Sequence, residues 1–212
     1  MIYNFFDTET TGLGDTDEVI QIGGVITDES LKPIRAYCYN ADTTAPFIHP
    51  KVTAINKLTL EILRTTARDI YIEQVLNDFI KEFYADDVIF CGYNVKFDIR
   101  MLNNSIRNDN LKVNFGKKIT PPLLPKVGAW NLDVADYFAF NTSNGRRFPK
   151  LSNLALKMTD VYDQFISEYT MLPINSNLPS GMLHLDSHNS LYDSIITFLL
   201  FREQVWKKKL LL

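Results

Sequence analysis

The strongest constraint on this chain is an apolar run near its start that ends in two acidic residues. Residues 2–6 read Ile-Tyr-Asn-Phe-Phe, and Asp7, Thr8 and Glu9 follow them. If residues 2–9 form a strand, alternate side chains share a face, so Asp7 and Glu9 point the same way, roughly 7 Å apart. Two carboxylates on one face repel each other and favour a hard divalent cation. A solvated strand end that runs into a turn would also explain the pair, so the motif alone is ambiguous.

The composition predicts one domain over residues 1–212 in a reducing compartment. The chain is 46% hydrophobic, and no Pro/Gly/Ser-rich linker divides it. Cys38 and Cys91 lie in apolar, strand-like segments, which favours buried thiols over a disulfide. No signal segment or membrane-length apolar run is present, so we expect a cytoplasmic protein without membrane contact. With a net charge of −3, a nucleic-acid partner would require basic residues concentrated on one face.

Hydrophobic periodicity predicts an α/β fold, a mixed sheet flanked by helices. Strands over 2–9, 19–28 and 34–39 predict an antiparallel meander, whereas the alternation of helix and strand from 72 to 107 predicts a crossover and a parallel strand over 88–91. The remaining predictions are a strand over 130–133; helices over 58–63, 72–83, 96–107, 134–140, 151–158 and 189–207; and irregular segments over 48–56, 108–128 and 173–181.

Two later segments could bring acidic residues to Asp7 and Glu9. Asp98 lies in the first turn of its predicted helix, where a carboxylate is also favoured by the helix dipole. His188 and Asp193 are five positions apart, which on a helix means a divergence of about 140°. They can converge only if His188 precedes the helix, with Ser187 or Asn189 as its cap.

Together these segments resemble the DEDDh family of 3′→5′ exonucleases, a branch of the ribonuclease-H-like superfamily. The resemblance rests on residues 5–13, on Asn94 to Asp98, and on His188 followed after four residues by Asp193. Residues 147–156 look closest to the bacterial exonuclease X group. Tyr93 and the pair at 56–57 depart from histidine-containing positions common in relatives, without replacing a metal ligand. His184 lacks the four-residue spacing, so we treat it as a loop residue.

The resemblance implies a ribonuclease-H-like fold and hydrolysis of nucleic acid from a free 3′ end, with release of nucleoside 5′-monophosphates. It implies two Mg²⁺ or Mn²⁺ ions per site, with Asp7 bridging both and Glu9, Asp98 and Asp193 completing their ligands. His188 is then the general base, since an imidazole with an ordinary pKa near 6.5 can accept a proton at neutral pH. DNA is favoured over RNA as the partner, with single-stranded or frayed ends preferred, and room is left for a homodimer or for a polymerase or repair partner.

Substrate contacts are predicted at eight positions, with two further basic residues as additional candidates for the phosphate track. Backbone or hydroxyl groups of Thr8 and Thr10 could contact the terminal nucleotide, and Leu13 and Phe97 could stack or wedge against bases. A phosphate track could be lined by basic residues, among which Arg146, Arg147 and Lys150 form the preferred cluster, with Lys96 and Arg100 as further members. Asn94, in the second motif, completes the set.

Three other functions could use parts of the same residue pattern. An exoribonuclease would use the same fold and ligands, and a non-catalytic nucleic-acid or polymerase-binding module would keep the fold alone. In an aspartyl-phosphate phosphatase, Asp7 would be a nucleophile. That function is disfavoured because position 9 is Glu and the Gly14–Asp15 pair comes too early in the chain.

Overall fold

The computed structural model describes residues 1–119, 128–169, 172–178 and 188–206. Seven strands form one mixed sheet in the order β5-β6-β4-β1-β2-β3-β9, and β7 pairs with β8 in a separate hairpin. The strands are β1 (Ile2–Thr10), β2 (Val19–Thr27), β3 (Pro33–Asn40), β4 (Val88–Gly92), β5 (Lys117–Lys118), β6 (Trp130–Asp133), β7 (Phe140–Thr142), β8 (Gly145–Arg147) and β9 (Ile174–Ser176).

Helices flank this sheet. They are α1 (Pro50–Asn56), α2 (Leu60–Thr66), α3 (Ile72–Asp78), α4 (Val95–Ser105), α5 (Leu151–Ala155), α6 (Thr159–Glu168) and α7 (Ser190–Leu200), and α7 continues as a π-helix over Phe201–Trp206. Short 3₁₀ turns occupy Lys81–Tyr84, Asp109–Leu111 and Val134–Tyr137. Within the described part of the chain, no helix is long and apolar enough to cross a membrane.

Strand β1 is central in the sheet, and its two faces pack against different helices. It runs antiparallel to β2 and parallel to β4, as predicted, and the mixed sheet is confirmed. Phe5 contacts Phe198 of α7 edge-on, with ring centroids 5.2 Å apart. Phe6 lies on the opposite face and contacts Phe90 and Phe115. Because side chains alternate along a strand, Asp7 and Glu9 extend the Phe5 face towards α7.

Gly23 allows α7 to lie directly on the sheet beside Asp7. It pairs with Asp7 across the β1–β2 ladder. A Cβ at this position would lie 2.2 Å from the backbone nitrogen of Leu191, in the first turn of α7. Since no real Cβ tolerates such a contact, only glycine permits this approach. The position of the third motif therefore depends on a residue of β2.

Several predicted elements differ from the structure. The segment 48–56 is not a loop, because Pro50 begins α1 at a position where proline is favoured and His49 caps it. The helix predicted over 72–83 ends at Asp78 and is followed by a 3₁₀ turn. The helix predicted over 134–140 is only a 3₁₀ turn, since Phe140 enters β7. Strand β9 lies within the segment predicted as irregular, and helix α6 and the β7–β8 hairpin were not predicted.

Candidate active site

Three carboxylates from two elements meet at the end of β1. Asp7 and Glu9 come from β1, and Asp193 comes from the first turn of α7. Each offers an oxygen, and these oxygens lie within 4.8 Å of one another. A group of carboxylate oxygens at this spacing has the donor chemistry that a hard divalent cation requires.

The start of α7 has the arrangement that the sequence predicted. Asn189 caps the helix, as its side-chain oxygen accepts hydrogen bonds from the backbone N–H groups of Leu191 and Tyr192. His188 precedes the helix with a left-handed φ of 67° and an exposed side chain. Its backbone N–H donates to the Asp193 carboxylate over 3.3 Å. The two residues therefore converge through the turn before the helix, while Ser187 and His184 lie outside the described residues.

Gln21 joins the first and third motifs. It pairs with Glu9 across the β1–β2 ladder. Its buried side-chain carbonyl accepts hydrogen bonds from the Ser190 backbone N–H (3.1 Å) and from the Ser190 hydroxyl (3.0 Å). Its amide donates to Asn40 over 2.8 Å. No local pattern indicates this role, because Gln21 and Ser190 are 169 positions apart and a glutamine within a strand is usually unremarkable.

Asp98 is held by Thr8, the residue between the two carboxylates of β1. One oxygen of Asp98 accepts hydrogen bonds from the Thr8 backbone N–H (3.0 Å) and from the Thr8 hydroxyl (2.7 Å). Asp98 is only 3% exposed and lies in the first turn of α4, as predicted. It lies outside the group of three carboxylates, yet its charge acts on Asp7. In this arrangement the Thr8 hydroxyl positions Asp98 and is not directed at a nucleotide.

Asp133 fixes the turn that begins α4. Its Oδ1 accepts hydrogen bonds from the backbone N–H groups of Asn94 (2.9 Å) and Ala135 (3.1 Å). Asn94 has a left-handed conformation, with φ 65° and ψ 43°, and a side chain exposed to solvent. Asp133 was not predicted as a functional residue. The available signal was an acidic residue at the end of a strand.

The carboxyl groups repel one another in a buried environment. Burial raises the pKa of Asp7 well above its ordinary value, and the charges of Asp98, Asp193 and Glu9 raise it further. Burial, followed by the charge of Asp193, raises the pKa of Glu9 to about 8. Burial likewise raises the pKa of Asp98 to about 7, against the hydrogen bonds from Thr8. Bound cations would remove this repulsion, so these residues fit a divalent metal site.

A cleft of about 700 Å³ is lined by residues that follow β1 in the chain, and its walls include Thr11, Leu13, Phe47 and His49 but none of the three carboxylates. Leu13 and Phe47 are 72% and 64% exposed, so this cleft presents apolar surface to solvent. Thr10, by contrast, is buried, and its hydroxyl donates to the Gly12 carbonyl over 2.5 Å.

Arg100 holds the loop that presents Leu13. Its guanidinium donates to the Asp15 carboxylate (2.5 Å) and to the Leu13 carbonyl (3.2 Å). The same group lies 5.5 Å from the ring centre of the half-buried Phe97. The Arg100 guanidinium therefore binds the loop, and the Phe97 ring packs against this guanidinium.

The predicted basic cluster lies on and just after the β7–β8 hairpin. Arg146 and Arg147 belong to the exposed strand β8, and Lys150 immediately precedes α5. Arg146 donates to the Asp136 carbonyl over 3.1 Å, whereas Lys150 is exposed. Two of the three basic residues therefore lie on the hairpin, and the third lies at the start of the helix that follows it.

Known structures share this architecture. Escherichia coli exonuclease I in complex with a dA16 oligonucleotide matches 99% of this chain and 43% of its own, with a TM-score of 0.61 and 16% identity. Exonuclease I from Methylocaldum szegediense matches 96% of this chain and 41% of its own, with a TM-score of 0.58 and 16% identity. The chain therefore spans less than half the length of these proteins. At this identity the likeness shows the fold alone.

The family itself is established by sequence. A comparison with curated protein sequences gave no significant match. The family model RNase_T, described as Exonuclease, matches residues 5–201, which include all three motifs. Together with the ribonuclease-H-like fold, this match shows that the chain belongs to the RNase_T exonuclease family, of the DEDD type.

Proposed function

We propose that this protein is a metal-dependent 3′→5′ exonuclease that shortens DNA from single-stranded or frayed 3′ ends and releases nucleoside 5′-monophosphates. The observation that carries the proposal is the convergence of Asp7, Glu9 and Asp193 within 4.8 Å, next to a histidine on the turn before α7. Membership of a nuclease family and a fold shared with an oligonucleotide-bound exonuclease I support it. We take residues 1–212 as one exonuclease domain.

The carboxylates are the proposed metal ligands. Asp7, Glu9 and Asp193 would hold Mg²⁺ or Mn²⁺, and Asp98 would complete the set from α4. A pair of such ions, when bound, supplies neutralisation of the phosphate and stabilisation of the charge that develops in hydrolysis. The mutual repulsion of these carboxylates without a cation supports this assignment, because the same charges that raise the pKa of Asp7 attract a cation.

His188 is the proposed general base. Its exposed side chain can reach solvent and substrate, and its backbone is tied to Asp193, one of the proposed ligands. An imidazole nitrogen of His188 would take the proton of the attacking water. The left-handed backbone at His188 is a conformation that non-glycine residues seldom adopt, and such conformations concentrate at functional sites.

The nucleotides at the 3′ end would lie along the cleft that follows β1 in the chain. Leu13 and Phe47 provide exposed apolar surface there for the faces of unstacked bases. Because bases in a duplex are already stacked, this contact favours single-stranded or frayed ends. Phe47 was absent from the residues predicted to bind substrate.

The polarity and the metal requirement can be tested on labelled strands. With 5′-labelled single-stranded DNA and Mg²⁺ or Mn²⁺, we expect a ladder of products shortened from the 3′ end, and no products with EDTA. Matched RNA measures the substrate preference, and equal or faster shortening of RNA would replace DNA by RNA in the proposal. Asp7→Asn should abolish the ladder. Products that keep a 3′ label, or full activity of Asp7→Asn, would refute the proposal.

A further inference from the structure

The β7–β8 hairpin is an exposed projection apart from the main sheet. All six of its strand residues are exposed, and its two strands pair only with each other among the described strands. An isolated two-stranded hairpin is marginal in water, so its position must be fixed by contacts at its base.

Those contacts fix the hairpin to the segment that positions Asp98. On the hairpin itself, Arg146 donates to the Asp136 carbonyl and lies 5.4 Å from the ring centre of Phe148. Just after the hairpin, the Pro149 carbonyl accepts a hydrogen bond from the Tyr93 hydroxyl. Tyr93 lies immediately before the turn that begins α4. The hairpin is therefore anchored next to the second motif.

The other end of the hairpin leads to the third motif. Helix α5 follows it directly, and Leu154 of α5 belongs to the same apolar core as Leu191 and Ile195 of α7. The residues that follow the hairpin therefore connect it both to the start of α4, which carries Asp98, and to α7, which carries Asp193.

The register of the hairpin separates its two arginines. Phe140 is paired with Arg147, and Asn141 is paired with Arg146, so Phe140 and Arg147 share one face while Arg146 lies on the other. Arg146 is used in anchoring. Within the described part of the chain, the Arg147 guanidinium has no hydrogen bond or ion pair, and Phe140 is 51% exposed. This face has no partner of its own among those residues.

An exposed ring beside a free guanidinium fits single-stranded nucleic acid. Bases stack on aromatic rings whatever their sequence, and a guanidinium pairs with phosphate through two parallel hydrogen bonds. Arg146, Arg147 and Lys150 concentrate positive charge within five positions of a chain whose net charge is −3. A polyanion is the partner that such a concentration favours.

We propose that the Phe140–Arg147 face of the hairpin is a second contact site for the single strand, on the 5′ side of the bond that is cut. One base stacks on Phe140, and a neighbouring phosphate pairs with Arg147. This proposal rests on the proposed function, because it assumes that the strand ends at the carboxylate group.

The test compares a dinucleotide, too short to reach the hairpin, with a strand of about 16 nucleotides. For Arg147→Gln and Phe140→Leu we expect the KM of the long strand to rise about tenfold, with an unchanged kcat/KM for the dinucleotide. Lys81→Gln is the charge-matched control. Lys81 lies in a 3₁₀ turn away from the hairpin, next to Glu82, which pairs with Arg35 of β3. This variant should match the wild-type protein. Both hairpin positions are exposed, so the melting temperature should not change.

Binding measurements separate this proposal from the proposed function. Fluorescence anisotropy with the labelled long strand in metal-free buffer needs no hydrolysis, so it tests the hairpin even if the protein cuts nothing. We expect weaker binding by both variants, and a dependence on salt that is smaller by about 0.7 in log–log slope for Arg147→Gln. Wild-type affinity in both variants would overturn the hairpin proposal and leave the exonuclease proposal standing. An equal loss for dinucleotide and long strand would also overturn it.

Discussion

The side-chain carbonyl of Gln21 accepts two hydrogen bonds from Ser190, one from its backbone N–H and one from its hydroxyl. The relationship is between strand β2 and the first residue of α7. Because Gln21 pairs with Glu9, this contact fixes how far Asp193 lies from the carboxylates of β1. Gln21 is therefore a positioning residue, acting on the site through Ser190.

Gln21→Leu should lower kcat much more than it weakens strand binding. The substitution leaves the buried N–H and hydroxyl of Ser190 without their acceptor, at a cost of about 1–3 kcal/mol in the free energy of unfolding. The start of α7 then shifts, and a misplacement of about 1 Å can reduce turnover about 100-fold. Steady-state kinetics and chemical denaturation measure the two effects separately. An unchanged kcat with lowered stability would mean that the contact serves the fold alone.

Gly23→Ala should reduce activity by displacing the same helix from the sheet. The new Cβ would meet the backbone of Leu191 at 2.2 Å, and overpacking of this kind costs about 1–3 kcal/mol. Gly24→Ala is the matched control, because its Cβ would meet the Tyr37 ring instead of α7. We expect both variants to melt at lower temperature and only Gly23→Ala to lose most of its kcat. Equal kcat losses in the two variants would argue against a specific role of Gly23.

The sequence predicted those site features that depend on local periodicity. Alternation along β1 was enough to place Asp7 and Glu9 on one face, and the cap at Asn189 was enough to place Asp193 in a first turn. It could not predict Gln21 or Asp133, whose partners depend on register between distant segments. The β7–β8 hairpin does have a local signal in the sequence, because Asn144-Gly145 is a pair favoured in tight turns.

Divalent metal should stabilise the protein against heat. Saturating Mn²⁺ at about 100 times its Kd would add about 2.7 kcal/mol, or roughly 5–10 °C in Tm for a chain of this length. Asp7→Asn should lose most of this shift, because it removes one ligand and part of the repulsion that the cation relieves. Glu61→Gln, an exposed substitution on α2, should keep the full shift. An equal shift in all three proteins would show that the metal binds elsewhere.

Thr8→Val should impair the reaction through Asp98. The variant keeps the backbone N–H that donates to Asp98 but removes the hydroxyl donor at 2.7 Å. Loss of a buried hydrogen bond to a charged group costs about 1.5–3 kcal/mol, and a carboxylate held by the backbone N–H alone can rotate away from the site. Thr8→Ser restores the donor, so it should recover most of the kcat that Thr8→Val loses. Failure of serine to rescue activity would indicate that packing of the threonine methyl group, and not the hydroxyl, is what matters.

Because Arg100 and Asp15 form an ion pair that holds the loop of Leu13, we expect substitutions in this pair to change KM and not kcat. Arg100 holds the loop of Leu13 from α4, and Asp15 is largely exposed, so the pair contributes at most about 1 kcal/mol. Asp15→Asn and Arg100→Gln should each raise KM about twofold to fivefold with unchanged kcat. The KM of the double variant should not exceed that of Arg100→Gln, because both substitutions remove the same ion pair. If Arg100 bound phosphate directly, Asp15→Asn would leave KM unchanged or lower it. A double-mutant cycle on KM distinguishes a guanidinium that holds the loop from one that contacts the substrate.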